Sequence, residues 1–133
     1  MGPFIFSHPD DPSVTLRDRH GTPIHLGAEC VIAQKASRYG GANLVDAVIQ
    51  KVTPLVLHPR HYGQTWHSTG PRSRIPLVRE DQLSRSHQTE YLAKVDESLG
   101  AVDLSTAFVA SVKVPNRDRL ITVPFGFNLI VKP

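Results

Sequence analysis

The chain has one cysteine, one tryptophan and one methionine, and its aromatic content is only 7%. A lone thiol cannot build an internal disulfide framework, which points to a reducing compartment. No apolar run approaches the roughly 18 residues that a membrane-spanning helix needs, so no span is predicted. The first residues carry neither a basic segment nor an apolar core of the kind that secretory signals require. Gly2 invites a myristoylation motif, but the hydroxyl at Ser7 falls one place too late. No Asn-x-Ser/Thr acceptor occurs either. These absences together predict a cytoplasmic location. Phosphate loops, dinucleotide-binding glycine patterns, H-E-x-x-H helices and G-x-S-x-G elbows are all missing, so no enzyme and no cofactor is expected.

What is present is enough for one domain over residues 1–133, because 40% hydrophobic residues in a chain of this length can bury a core without a staple. The net charge of +3 is unevenly placed. Residues 58–87 hold Arg60, Arg72, Arg74, Arg79 and Arg85 against only Glu80 and Asp81, and the rest of the chain sums to zero. The same window contains His58, His61, His67, His87 and the single Trp66. Every basic residue in it is arginine, whose planar fork suits bidentate contacts to phosphate and carboxylate. An excess of +3 is modest for a dedicated DNA-binding surface. The window therefore predicts nucleic acid or an acidic protein surface as partner.

Short β-rich runs separated by turn residues dominate the pattern. Val14–Leu16 and Ile24–Leu26 read as a hairpin with Gly21 at its left-handed position. A strand follows over 29–33, then a small-residue loop, and a β-branched strand over 44–53 that stops at Pro54, with 55–57 beside it. Prolines and glycines over 58–76 allow only brief strands near 65–67 and 75–78. Leu83, His87, Tyr91, Leu92, Val95 and Leu99 fall at helical spacing, which predicts an amphipathic helix over 80–100, capped by Asp81 and Gly100. Phe108, Ala110, Val112 and Val114 then alternate, a turn at 115–118 returns the chain to 120–123, and Phe125, Phe127, Leu129 and Val131 keep period two on one buried face. That final strand needs a cover, either a sheet of the same chain or a second copy in a homo-oligomer.

His58, His61 and His67 form the best metal candidate, but Pro59 interrupts any shared helical face and no nearby carboxylate or cysteine completes a tetrahedral set. No metal is expected. Cys30 sits between apolar neighbours and reads as an inert core residue. Tyr62 and Trp66, interleaved with Arg60, Arg72 and Arg74, form the candidate ligand-binding set, since aromatic faces flanked by arginine can hold unpaired bases.

The stretch Asp18-Arg-His-Gly21-Thr-Pro-Ile24-His-Leu-Gly27, then Gly40-Gly41, then Ala47-Val-Ile-Gln-Lys-Val-Thr-Pro54, resembles the small SH3-like, KOW-like barrel proteins of bacteriophages. Trp66-His-Ser-Thr-Gly70 is similar to a turn that follows in such proteins. The resemblance covers residues 18–70, with Ala28 where that family has Asp and Ala47 where it has Gly. It implies a mostly β fold: an SH3-like small barrel over 18–79, one helix over 80–100, and a C-terminal β-hairpin plus strand over 106–131. The function it implies is a non-enzymatic, phage-derived accessory module that binds nucleic acid or a host protein, in the host cytoplasm or the virion. The alternative is a structural component of an oligomeric assembly, such as a capsid, connector or tail protein. Fold alone does not choose between these.

Overall fold

The computed structural model describes residues 5–35, 42–59, 74–86, 88–94, 102–115 and 117–132. The fold is mostly β, and among the described residues helical structure is confined to 3-10 turns. Strands β1 (Ser7–His8) and β2 (Asp11–Thr15) form a small ribbon. The remaining strands are β3 (Glu29–Lys35), β4 (Ala42–Leu57), β5 (Arg74–Arg79), β6 (Glu90–Lys94), β7 (Phe108–Lys113), β8 (Ile121–Pro124) and β9 (Leu129–Val131). All seven belong to one open, antiparallel sheet system.

The organising element is β4, 16 residues long. Its first half pairs with β3, its middle with β7, and its last three residues with β5. The strand runs through Pro54 rather than stopping there. Proline cannot donate to a ladder, and the loss is harmless at this point. The next residue, Leu55, turns its N–H to the carbonyl of Ala107 at 2.9 Å, so position 54 faces the other edge, where pairing with β5 begins only at Leu55. An irregularity between Ile49 and Lys51 re-aims the strand. Its two halves thereby serve two cores.

The first core gathers Cys30 and Ile32 of β3, Ala47 and Ile49 of β4, Phe108, Ala110 and Val112 of β7, Val123 and Leu129, with Leu16, Ile24, Ala28 and Val114. The alternation expected over 108–114 is present, and all four of its apolar residues point into this core. Fully burying a side chain such as Phe108 contributes about 1.5–3 kcal/mol. The second core lies under the β5–β6 hairpin, where Ile75, Leu77 and Ala93 pack with Leu55, Ala107, Val109 and Phe125. β7 is thus buried on both faces. Buried His8 ties the N-terminal ribbon to β4: its Nε2 donates to the carbonyl of Leu55 at 2.9 Å, and its Nδ1 accepts from the backbone N–H of Asp10.

Two further expectations are corrected. The amphipathic helix over 80–100 is absent from the described part of that segment, which contains a 3-10 turn at Glu80–Gln82 and the strand β6. Tyr91 and Leu92 are adjacent, so one helical stripe cannot be told from a strand in which they face opposite ways. β6 pairs with β5 along its whole length, burying Ala93 and leaving Leu92 55% exposed. An isolated helix of that length is marginal, and sheet pairing overrides its periodicity. Asp81 caps no helix; it binds Arg79 instead.

The second correction concerns 125–131. Only Leu129–Val131 is strand. Phe125 turns left-handed at φ 65, Gly126–Asn128 is a 3-10 turn, and Phe127 is half exposed. A period-two reading cannot see such a corner. The hairpin expected around Gly21 is represented by a bridge between Arg17 and Pro23, with Gly21 at φ +82.

Candidate functional site

Of the candidate set, Arg60, Tyr62, Trp66 and Arg72 lie outside the described residues, as do His61, His67 and His87. Arg74 is described; it opens β5 and lines a cleft of about 390 Å³. The cleft is bounded by the turn after β2, the β5–β6 hairpin, the segment before β7 and the corner after β8. Four cations line it: Arg17, Arg19, Arg74 and Lys94.

Register explains part of this gathering. Arg74 and Lys94 are Cα partners across β5 and β6. Like charges directly opposite each other in an antiparallel pair are destabilising. Among the described residues, neither of them, nor Arg19, has an ion-pair partner. Arg17 is held in place, its backbone N–H donating to Ser105 and its Nη1 to the carbonyl of Gly21, both at 2.7 Å.

The two acids of the cleft are already engaged by the protein. Asp18 is 3% exposed, and its Oδ1 accepts from the backbone N–H groups of His20 and Thr22 at 2.9 and 2.8 Å. Its Oδ2 accepts from Val131 N–H at 2.7 Å. Asp103 caps the 3-10 turn Leu104–Thr106, accepting from the N–H and hydroxyl of Ser105 at 3.0 and 2.6 Å. Among the described residues, four cations against two acids line the cleft.

Phe125 and Phe127 complete the wall, stacked with centroids 5.3 Å apart and planes 8° from parallel. Sequence reasoning missed Arg17, Arg19, Lys94 and Phe127. Asp18 between the two arginines cancels part of their charge in any window count, and Lys94 meets Arg74 only through pairing of β5 with β6. The basic excess over 58–87 is also thinner than its composition suggests, since Arg79 is neutralised by Asp81 at 2.7 Å.

Cys30 is fully buried, and desolvation pushes its thiol up to about 11, far from the thiolate that nucleophilic use requires. Among the described residues no group of three His, Cys, Asp or Glu could hold a metal ion. No described helix is long and apolar enough to cross a membrane. No family model, curated protein or solved structure matches the chain.

Proposed function

We propose that the protein is a non-enzymatic nucleic-acid-binding module, built on a small SH3-like barrel of the phage accessory kind that residues 18–70 resemble. Support for the barrel comes from the order β8–β7–β4–β3–β9 around a single core. Its two outer strands are consecutive in the chain and joined by Phe125 and the 3-10 turn Gly126–Asn128. A sheet whose edges meet at a tight corner is curled toward closure.

The observation that carries the binding function is the cross-strand pair Arg74–Lys94, two cations set opposite each other in a cleft they share with Arg17 and Arg19. Such a pair costs the fold energy and gains it back when an anion with several charges lies between them. Phosphate backbones supply that charge at the spacing of successive nucleotides, and release counterions on neutralisation. The test is fluorescence anisotropy of labelled single-stranded and duplex oligonucleotides with the full chain across a salt series. Affinity falls steeply with salt, and Arg74→Glu and Lys94→Glu each weaken it. An affinity flat in salt overturns the reading.

A second reading has its own observation. Among the described residues β6 is an outer strand paired only with β5, and Leu92 on it is 55% exposed, which suits edge-to-edge association in an assembly. Light scattering coupled to size exclusion separates the two, since rings or larger oligomers support the assembly and a monodisperse monomer supports the module.

A further inference from the structure

Phe125 is the one non-glycine residue among those described with a left-handed backbone, at φ 65. A bulky residue adopts that conformation only where its surroundings impose it. Here they do. The Phe125 N–H donates to the carbonyl of Phe108 at 2.7 Å, its own carbonyl accepts from the N–H of Asn128 at 3.1 Å, and its ring is buried in the second core. At the next position a Cβ would strike the carbonyl oxygen of Arg17 and lie 2.7 Å from the ring of Phe108, so only glycine fits. Asn128 closes the turn by donating from Nδ2 to the carbonyl of Pro124 at 2.6 Å.

The product of all this is a rigid corner that holds Phe127 out of both cores. Its ring is 50% exposed, with Phe125 stacked parallel to it. Folding gains little from an aromatic ring left half in water, and a polar residue would serve the turn as well. Phe127 lines both the basic cleft and a smaller one beside Leu44 and Ile130, and Arg19 lines both as well. An exposed aromatic face beside cations that have no ion-pair partner among the described residues is the arrangement that holds unstacked bases while cations track the phosphates.

We propose that Phe127 is a stacking platform for an unpaired base, with Arg19, Arg74 and Lys94 on the adjoining phosphates, so that the ligand is single-stranded nucleic acid rather than duplex. Bases within a duplex have their faces covered by neighbouring pairs and offer nothing for the ring to stack on, whereas every unpaired base has a free face. Recognition of this kind is tolerant of sequence. The inference rests on the basic-cleft reading and adds the strandedness of the ligand to it.

The test is anisotropy of a labelled oligothymidylate and a labelled blunt duplex against the wild-type chain, Phe127→Ala and Phe127→Tyr, each first shown to melt cooperatively. The single strand binds more tightly than the duplex. Phe127→Ala weakens single-strand binding by about 5- to 150-fold and leaves the salt slope and the duplex affinity unchanged, while Phe127→Tyr keeps the single-strand affinity. Equal affinity for both probes, or an alanine variant that binds the single strand as well as wild type, overturns base stacking and leaves the basic-cleft reading standing. Binding of neither probe overturns both.

Discussion

The carboxylate of Asp18 accepts a 2.7 Å hydrogen bond from the backbone N–H of Val131, joining residues 113 positions apart. With its other oxygen on His20 and Thr22, this one side chain closes the turn around Gly21 and fastens the last strand to it. Removing the acceptor leaves three part-buried backbone donors without it, those of the exposed residues His20 and Thr22 within reach of water, and a donor left buried costs about 1–3 kcal/mol. Asp18→Ala is expected to lose about 1–3 kcal/mol in urea unfolding. Asp18→Asn restores one oxygen but aims an amide N–H at a backbone N–H, so it too is destabilising. A neutral asparagine variant would show that water replaces the bond to Val131.

Gly126 and Phe127 are adjacent and behave oppositely. Gly126→Ala places a methyl group against the Arg17 carbonyl and the Phe108 ring, overpacking that costs about 1–3 kcal/mol or more. Phe127→Ala removes a ring that is already half in water, and thermal melts are expected to show a loss below about 1 kcal/mol. Leu129→Ala, at a position 1% exposed, costs about 2–5 kcal/mol. A Phe127→Ala penalty as large as that of Leu129→Ala would restore the ring to a packing role.

Strand content was legible where apolar residues recur at every second position. Ala110, Val112 and Val114 show this, as does Gly21, whose left-handed backbone follows from its place in a turn. The helix over 80–100 was misread because Tyr91 and Leu92 suit either period, and the choice is made by β5, which lies outside that window. The corner at Phe125 was invisible for a related reason: its conformation is imposed by Phe108 and Arg17, which reach it only after folding. The cleft was legible in one residue, Arg74. Arg17, Arg19 and Lys94 are brought to it by turn geometry and strand register rather than by proximity in the chain.

Cys30 sits fully buried on β3 between Ala47 and Val131, its register partners on either side. With its thiol pushed up to about 11 by burial, almost no thiolate exists near neutral pH. Labelling with an aromatic disulfide is expected to proceed only as fast as the protein opens, and to become rapid in denaturant. Fast labelling of the native chain would mean that β3 or β9 opens locally, well below the cost of global unfolding.

Asp81 gives a pH dependence with a definite sign. The Arg79 guanidinium donates to both its oxygens at 3.1 and 2.7 Å, and Lys51 lies 3.4 Å away, which together hold the carboxyl below the ordinary carboxylate value against some desolvation. A carboxyl depressed in the folded state contributes stability that is present above its unfolded value and is lost as pH falls through the folded value. The side chain is 39% exposed, so the contribution stays within about 1 kcal/mol and shrinks with salt. Asp81→Asn should therefore be slightly less stable than wild type at neutral pH, and the two urea midpoints should converge in acid. A difference that persists at low pH would assign it to packing instead of charge.

Arg74 and Lys94 carry the most discriminating prediction, because stability and binding are expected to move in opposite directions. Their cross-strand repulsion costs the β5–β6 hairpin about 0.2–1 kcal/mol, and replacing one by an acid turns that repulsion into attraction. Lys94→Glu is thus expected to raise the melting midpoint slightly while it weakens oligonucleotide binding and lowers the salt slope by about one or more. The double variant Arg74→Glu with Lys94→Arg restores an opposite pair, and should match Lys94→Glu in stability and in the loss of binding. If a site exists to hold an anion, relieving its strain must cost its ligand. A charge reversal that stabilises the hairpin and leaves binding intact would remove this pair from the interface and direct attention to Arg17 and Arg19, which also line the cleft.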